Sequence, residues 1–164
     1  MSAEDRKLPP PGFHFAVKIL GGKAKDLSDF DAAFQEVSGI SAEMQYDEIK
    51  EGGENRFVHR VPSRLSYENL VLKRGLVVWP SAFGTWCKNM LAAKSTTQKQ
   101  HWVELHDINV SLMGMVNGES KPIRTWTFLN AKPAKWEMSG FNAQESNLVI
   151  ETITINYQYF RVVR

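Results

Sequence analysis

Hydrophobic and polar positions alternate along most of this chain. Phe13, Phe15, Val17 and Ile19 are interleaved with His14, Ala16 and Lys18, the period of two that marks a half-buried strand. Gly21-Gly22 ends that run, and Lys23 to Asp31 reads as a polar loop. A second extended run starts near Ala33 and carries Phe34 and Val37, with Ser38-Gly39 marking a bulge or bend. Met44 and Tyr46 then alternate with acids as far as Glu51, Gly52-Gly53 permits a reversal, and Phe57, His59 and Val61 return. This long polar hairpin holds too few large apolar residues to fold against a core. Its tip is either a mobile loop or a segment ordered by a neighbouring subunit. Asn69 to Arg74 forms another strand, closed by Gly75.

The pattern changes period once. Pro80 suits a first helical turn, and Phe83, Trp86, Cys87, Met90 and Leu91 recur as one apolar stripe. Gly84 costs that helix about 1 kcal/mol relative to alanine, so tertiary packing must hold it. Alternation resumes at Ile108, Val110 and Leu112, and Asn117-Gly118 supplies a type I′ hairpin signal. Trp126 and Phe128 form the apolar face of the return strand. Lys132 to Asn147 reads as a long connection pinned by Trp136 and Phe141. Val149 to Val163 reads as one long terminal strand. Ile153, Ile155, Tyr157 and Tyr159 take one side of it, and Thr152, Thr154, Asn156 and Gln158 take the other, a polar face uncharged apart from Glu151. Many short strands and one helix predict a mainly β domain, closed or nearly closed as a barrel or sandwich.

Composition narrows the function classes. A chain of 164 residues fits one domain. A domain of that size buries roughly 70% of its unfolded surface. A net charge of +2 is too mild to imply nucleic-acid binding. The lone cysteine, Cys87, rules out an internal disulfide and reads as a small buried hydrophobe. Residues 1–11 form a polar tail ending in Pro9-Pro10-Pro11, without the apolar region of a secretory signal, and residues 12–164 the single domain. No segment is long enough to span a membrane.

Catalytic and metal patterns are missing. His101 and His106 point to opposite faces if they lie on one strand, His14 and His59 are remote, and no spacing suits zinc. Gly21-Gly22-Lys23 lacks the remainder of a phosphate loop, and no nucleophile elbow is present. The chain is therefore expected to be no enzyme and to need no cofactor. Lys135-Trp136 and Tyr159-Phe160-Arg161 pair aromatic with basic residues and are open to base stacking, but core aromatics beside surface charge explain them better.

Charge in the hairpin separates by sign. Glu43, Asp47, Glu48, Glu51 and Glu54 crowd the outgoing arm and turn, whereas Arg56, Arg60, Arg64, Lys73 and Arg74 dominate the return and the next strand. Cross-strand pairs would contribute roughly 0.2–1 kcal/mol each. Equally, the acidic part of one subunit can meet basic surface on another, and such head-to-tail contacts build rings or stacks.

Eight segments in order resemble the contractile phage tail tube family, which includes T4-type tail tubes and inner tubes of phage-like contractile injection systems. They are Phe34-Gln35-Glu36-Val37-Ser38-Gly39-Ile40, Glu51-Gly52-Gly53-Glu54-Asn55, Asn69-Leu70-Val71-Leu72-Lys73-Arg74-Gly75 and Trp86. Trp126-Thr127-Phe128-Leu129-Asn130-Ala131, Pro133-Ala134-Lys135-Trp136, Phe141-Asn142-Ala143 and Glu151-Thr152-Ile153 complete the series. The resemblance implies a tail-tube-type β-barrel of two packed antiparallel sheets, with one flanking helix and an extended hairpin. It implies hexameric rings stacked into a rigid hollow tube, inside a sheath whose contraction drives the tube through an envelope.

The expected interface between subunits and rings is Glu43, Tyr46, Asp47, Glu48, Glu51, Gly52, Gly53, Glu54, Asn55, Arg56 and Arg60. Thr152, Thr154, Asn156 and Gln158 are expected to face the lumen. Expected partners are other copies of the chain, sheath, baseplate or tube-initiator and tail-terminator proteins, and cargo or DNA in the lumen, with no membrane insertion by the subunit. Synthesis and assembly are expected in the bacterial cytoplasm, within a particle that is later released. The proline-rich start and the insert Lys23 to Ala33 leave a tube-initiating subunit near the baseplate as an alternative. A small monomeric barrel binding nucleic acid or a ligand is the contrasting reading.

Overall fold

A computed structural model describes residues 14–20, 31–49, 57–75, 82–92, 105–116, 118–139 and 149–163. The expected N-terminal tail, the polar loop ahead of Asp31, the hairpin tip at Glu51 to Arg56, Asn117, His101 and Phe141 lie outside these residues.

The described chain is mainly β. Its elements are β1 (His14–Leu20), β2 (Asp31–Phe34), β3 (Glu36–Ser38), β4 (Ala42–Ile49), β5 (His59–Tyr67) and β6 (Leu70–Gly75). They continue with α1 (Ala82–Ala92), β7 (His106–Val116), β8 (Glu119–Met138), β9 (Ile150–Asn156) and β10 (Tyr159–Val162). An eight-stranded antiparallel sheet runs β2-β1-β7-β8-β9-β6-β3, with β10 paired to β8, while β4 and β5 form a separate two-stranded sheet.

The large sheet curls. β2 and β3 lie at opposite ends of its strand order yet are consecutive in the chain, with only Gln35 between them. The Gln35 amide donates to the Lys73 carbonyl at 2.9 Å, so one extended segment touches both edges. Inside the curl sit the side chains that strand alternation selects: Val17, Ile19, Leu70, Leu72, Ile108, Val110, Phe128, Ile153 and Ile155. Burying one such side chain contributes roughly 1.5–3 kcal/mol. Helix α1 adds Phe83, Trp86 and Cys87 to this core. Phe83 meets Phe34 edge-on with ring centres 5.7 Å apart, and Trp86 meets the His106 ring at 5.6 Å.

Two readings of the sequence are corrected. The segment after Lys132 is not a connection as far as Met138, because β8 continues through it and pairs with β9. Pro133 hid this part of the strand. Pro122 and Pro133 both sit beside register shifts, where a strand tolerates a missing amide donor. Asn130, with φ of 51°, bends β8 between its two sets of partners.

Val149 to Val163 is likewise not one strand. It breaks at Tyr157-Gln158, so that β9 pairs with β6 and the end of β8, while β10 pairs with residues 126–129 of β8. The Gln158 amide donates to the Leu129 carbonyl at 3.0 Å, and the Asn130 side-chain amide donates to Gln158 Oε1 at 2.6 Å. Both bends are thus tied together. Tyr159 consequently lies exposed on β10 rather than beside Ile153 and Ile155.

Candidate assembly surfaces

The hairpin β4–β5 stands away from the core. Every residue of β4 is exposed, as is β5 up to Leu65. Register sets Met44 opposite Leu65 and Tyr46 opposite Pro62. These pairs share one face, on which Met44, Tyr46 and Leu65 are 42%, 56% and 48% exposed. Ile49 and Val61 are exposed as well, and Phe57 and Val58 precede β5 in the same state. The hairpin therefore carries more large apolar side chains than the sequence suggested, and among the described residues it has no surface that buries them. Leu65 was missed because the hairpin was read as spanning residues 41–62. Among the described charges, Arg60 pairs with Glu48 at 3.3 Å across the strands. Glu43, Tyr46 and Asp47 are exposed on β4, whereas Glu51, Gly52, Gly53, Glu54, Asn55 and Arg56 lie outside the described residues.

The basic surface inferred for β6 needs correction. Arg74 is only 3% exposed and pairs with Glu151, itself 4% exposed, directly across the β6–β9 ladder. Trp136 Nε1 donates to the second Glu151 oxygen at 2.7 Å, and the Arg74 guanidinium lies 4.9 Å from the Phe34 ring centre. Glu151 thus belongs to the buried side of β9, not to its polar face, because it shares parity with Ile153 and Ile155. Lys73 is on the opposite side and pairs with Glu36 at 2.8 Å.

Thr152 and Thr154 lie half-buried on the outer face of β9. Thr152 is flanked by Lys73 and Glu137, and Thr154 by Val71 and Lys135. That face is therefore not an uncharged lining. Lys73–Glu36 and Lys135–Glu137 form two ion pairs there, and Lys132, opposite Asn156, adds a further cation. Lys135 and Glu137 were missed because their strand was read as a connection. Asn156 ends β9 and donates to Asn69 Oδ1 at 3.2 Å, whereas Gln158 sits in the bend, off the strand face. Nearby, Tyr157 is buried and its hydroxyl donates to the Gly39 carbonyl at 3.3 Å. Burial first, then Tyr67 and Glu68, push the Tyr157 phenol up to about 12.

Among the described residues, no group of three or more His, Cys, Asp or Glu side chains is placed to hold a metal ion. No described helix is long and apolar enough to cross a membrane. The model for the T4-like virus tail tube protein gp19 family matches residues 11–161. The chain belongs to this tail tube family. As a tail tube protein it is a structural component.

Solved structures agree. A chain of the anti-feeding prophage baseplate is 25% identical, with 95% of this chain and 97% of that chain covered and a TM-score of 0.71. A chain of the sheath-tube complex of an extracellular contractile injection system, PVC, is 21% identical, with 99% and 97% covered and a TM-score of 0.70. An Hcp protein is 14% identical, with 91% and 89% covered and a TM-score of 0.59. The last two show a common fold. No curated protein sequence matches the chain.

Proposed function

We propose that this tail tube protein is a structural subunit of the inner tube of a contractile tail or injection system, assembling into hexameric rings that stack as a hollow conduit. In this reading the curled sheet is the family's closed barrel, residues 12–164 form one domain, and assembly takes place in the bacterial cytoplasm. The observation that carries it is the hairpin. An isolated two-stranded hairpin is marginally stable at best in water. This one nevertheless exposes seven large apolar side chains among its described residues, from Met44 to Leu65. Burial against an adjacent ring supplies what the single chain lacks, with Glu43, Tyr46, Asp47, Glu48 and Arg60 at the contact and residues 51–56 at its tip. The Thr152 and Thr154 face lines the lumen, and its ion pairs Lys73–Glu36 and Lys135–Glu137 weaken adhesion to passing cargo. Sheath, baseplate and terminator proteins are the further partners.

Deleting Gly52 to Asn55 tests the reading. The shortened chain is expected to keep its thermal transition, because these residues add no apolar area to the core, yet to form no stacked rings in negative-stain images. Long tubes from the deletion variant would refute it. A baseplate-proximal, tube-initiating role is the second reading, favoured by the 25% identity to a chain of the anti-feeding prophage baseplate.

A further inference from the structure

The hairpin leaves the body through a narrow root. Its first leg passes Gly39, with φ of 81°, and its second leg passes Asn69 between β5 and β6. The two cross so closely that a Cβ on Gly39 would collide with the Asn69 carbonyl oxygen. Only glycine meets both the left-handed backbone and this approach.

Two consecutive residues at the end of β9 hold the crossing from below. The Tyr157 hydroxyl donates to the Gly39 carbonyl, and the Asn156 side-chain amide donates to Asn69 Oδ1. Each leg therefore receives one bond from the same short segment. The Tyr157 ring also packs against Tyr67, the last residue of β5, at 5.9 Å, and against Phe128 at 4.8 Å. Tyr67 in turn meets Phe160 of β10 edge-on at 5.7 Å. The segment is itself fixed, since Gln158 is bonded to Leu129 and Asn130 of β8.

We propose that Asn156 and Tyr157 are positioning residues that clamp the hairpin root and set the angle at which β4–β5 leaves the body before any neighbour binds. Among the described residues the hairpin beyond its root packs on no other element, so small changes at the root swing the far end through a large arc. A preset angle means the ordering cost is met during folding rather than at association, which strengthens assembly. This inference rests on the hairpin being an assembly element, but the clamp itself is measurable in the single chain.

The test uses the full chain with Cys87→Ala, nitroxides at Asp47→Cys on the hairpin and Ser120→Cys on the body, and a concentration below assembly. Pulsed electron resonance is expected to give one narrow distance distribution for the parent protein and a broad one for Tyr157→Phe. Asn156→Ala should broaden it too. Val110→Ala, a core truncation away from the root, should lower the melting temperature while the distribution stays narrow. With the clamp loosened, the protein concentration for half-maximal tube formation should rise about tenfold, equivalent to about 1.4 kcal/mol. The clamp is overturned if Tyr157→Phe keeps the parental width, or if Val110→Ala broadens it equally. Absence of tubes from the parent protein would count against the tube reading alone, because the distances decide the clamp separately.

Discussion

Glu151 joins strand parity to stability at the level of one side chain. It faces inward, accepts from Arg74 and Trp136, and places a charge pair where the remaining inward residues of β9 are Ile153 and Ile155. Removing one member of a buried pair strands the other charge. Glu151→Ala should therefore destabilise the chain by about 3–5 kcal/mol in denaturant unfolding, whereas the double change Arg74→Met with Glu151→Leu should cost much less. A loss under about 1 kcal/mol for Glu151→Ala would match an exposed pair instead. Tyr157 yields a pH prediction. Its phenol is raised from 10.0 to about 12, so the folded state favours the neutral form. Stability from this group is complete below pH 10 and falls as pH climbs toward 12, because the unfolded chain then loses its proton first. Tyr157→Phe should flatten that part of the alkaline stability curve relative to the parent protein, and identical slopes would contradict the assignment.

At the scale of elements, the helix is the clearest case. The stripe Phe83, Trp86 and Cys87 is buried, with Met90 packed at its margin. Trp86→Ala should cost about 3–5 kcal/mol by equilibrium unfolding. A loss below about 1 kcal/mol would mean that the stripe faces something other than this core. Helix spacing and the alternations of β1 and β7 were legible because each buries one face. The end of β8 was not, since Pro133 and the bend at Asn130 disguise a strand whose irregularity is absorbed by a register shift. Nor was the break between β9 and β10 legible, because Tyr157 and Gln158 are ordinary strand residues and only their bonds to Gly39 and Leu129 mark the corner. The hairpin itself was legible, but its apolar face was not. Pairing Met44 with Leu65 requires the register of both strands.

For the whole molecule, sequence and fold lead to the same family by different routes. Eight short segments carry the resemblance, and the curl of the sheet, with one segment touching both edges, carries the architecture. Under the proposed function, the surfaces that define the assembly are completed by other copies. The exposed apolar face of the hairpin, among the described residues, is the observation behind that reading. Self-association is tested most directly by the mass and image of the purified protein across a wide concentration range. A species six times the 18.7 kDa of one chain is expected, seen as six-fold rings that stack at higher concentration. A single 18.7 kDa particle at every concentration, with no rings in the images, would contradict it.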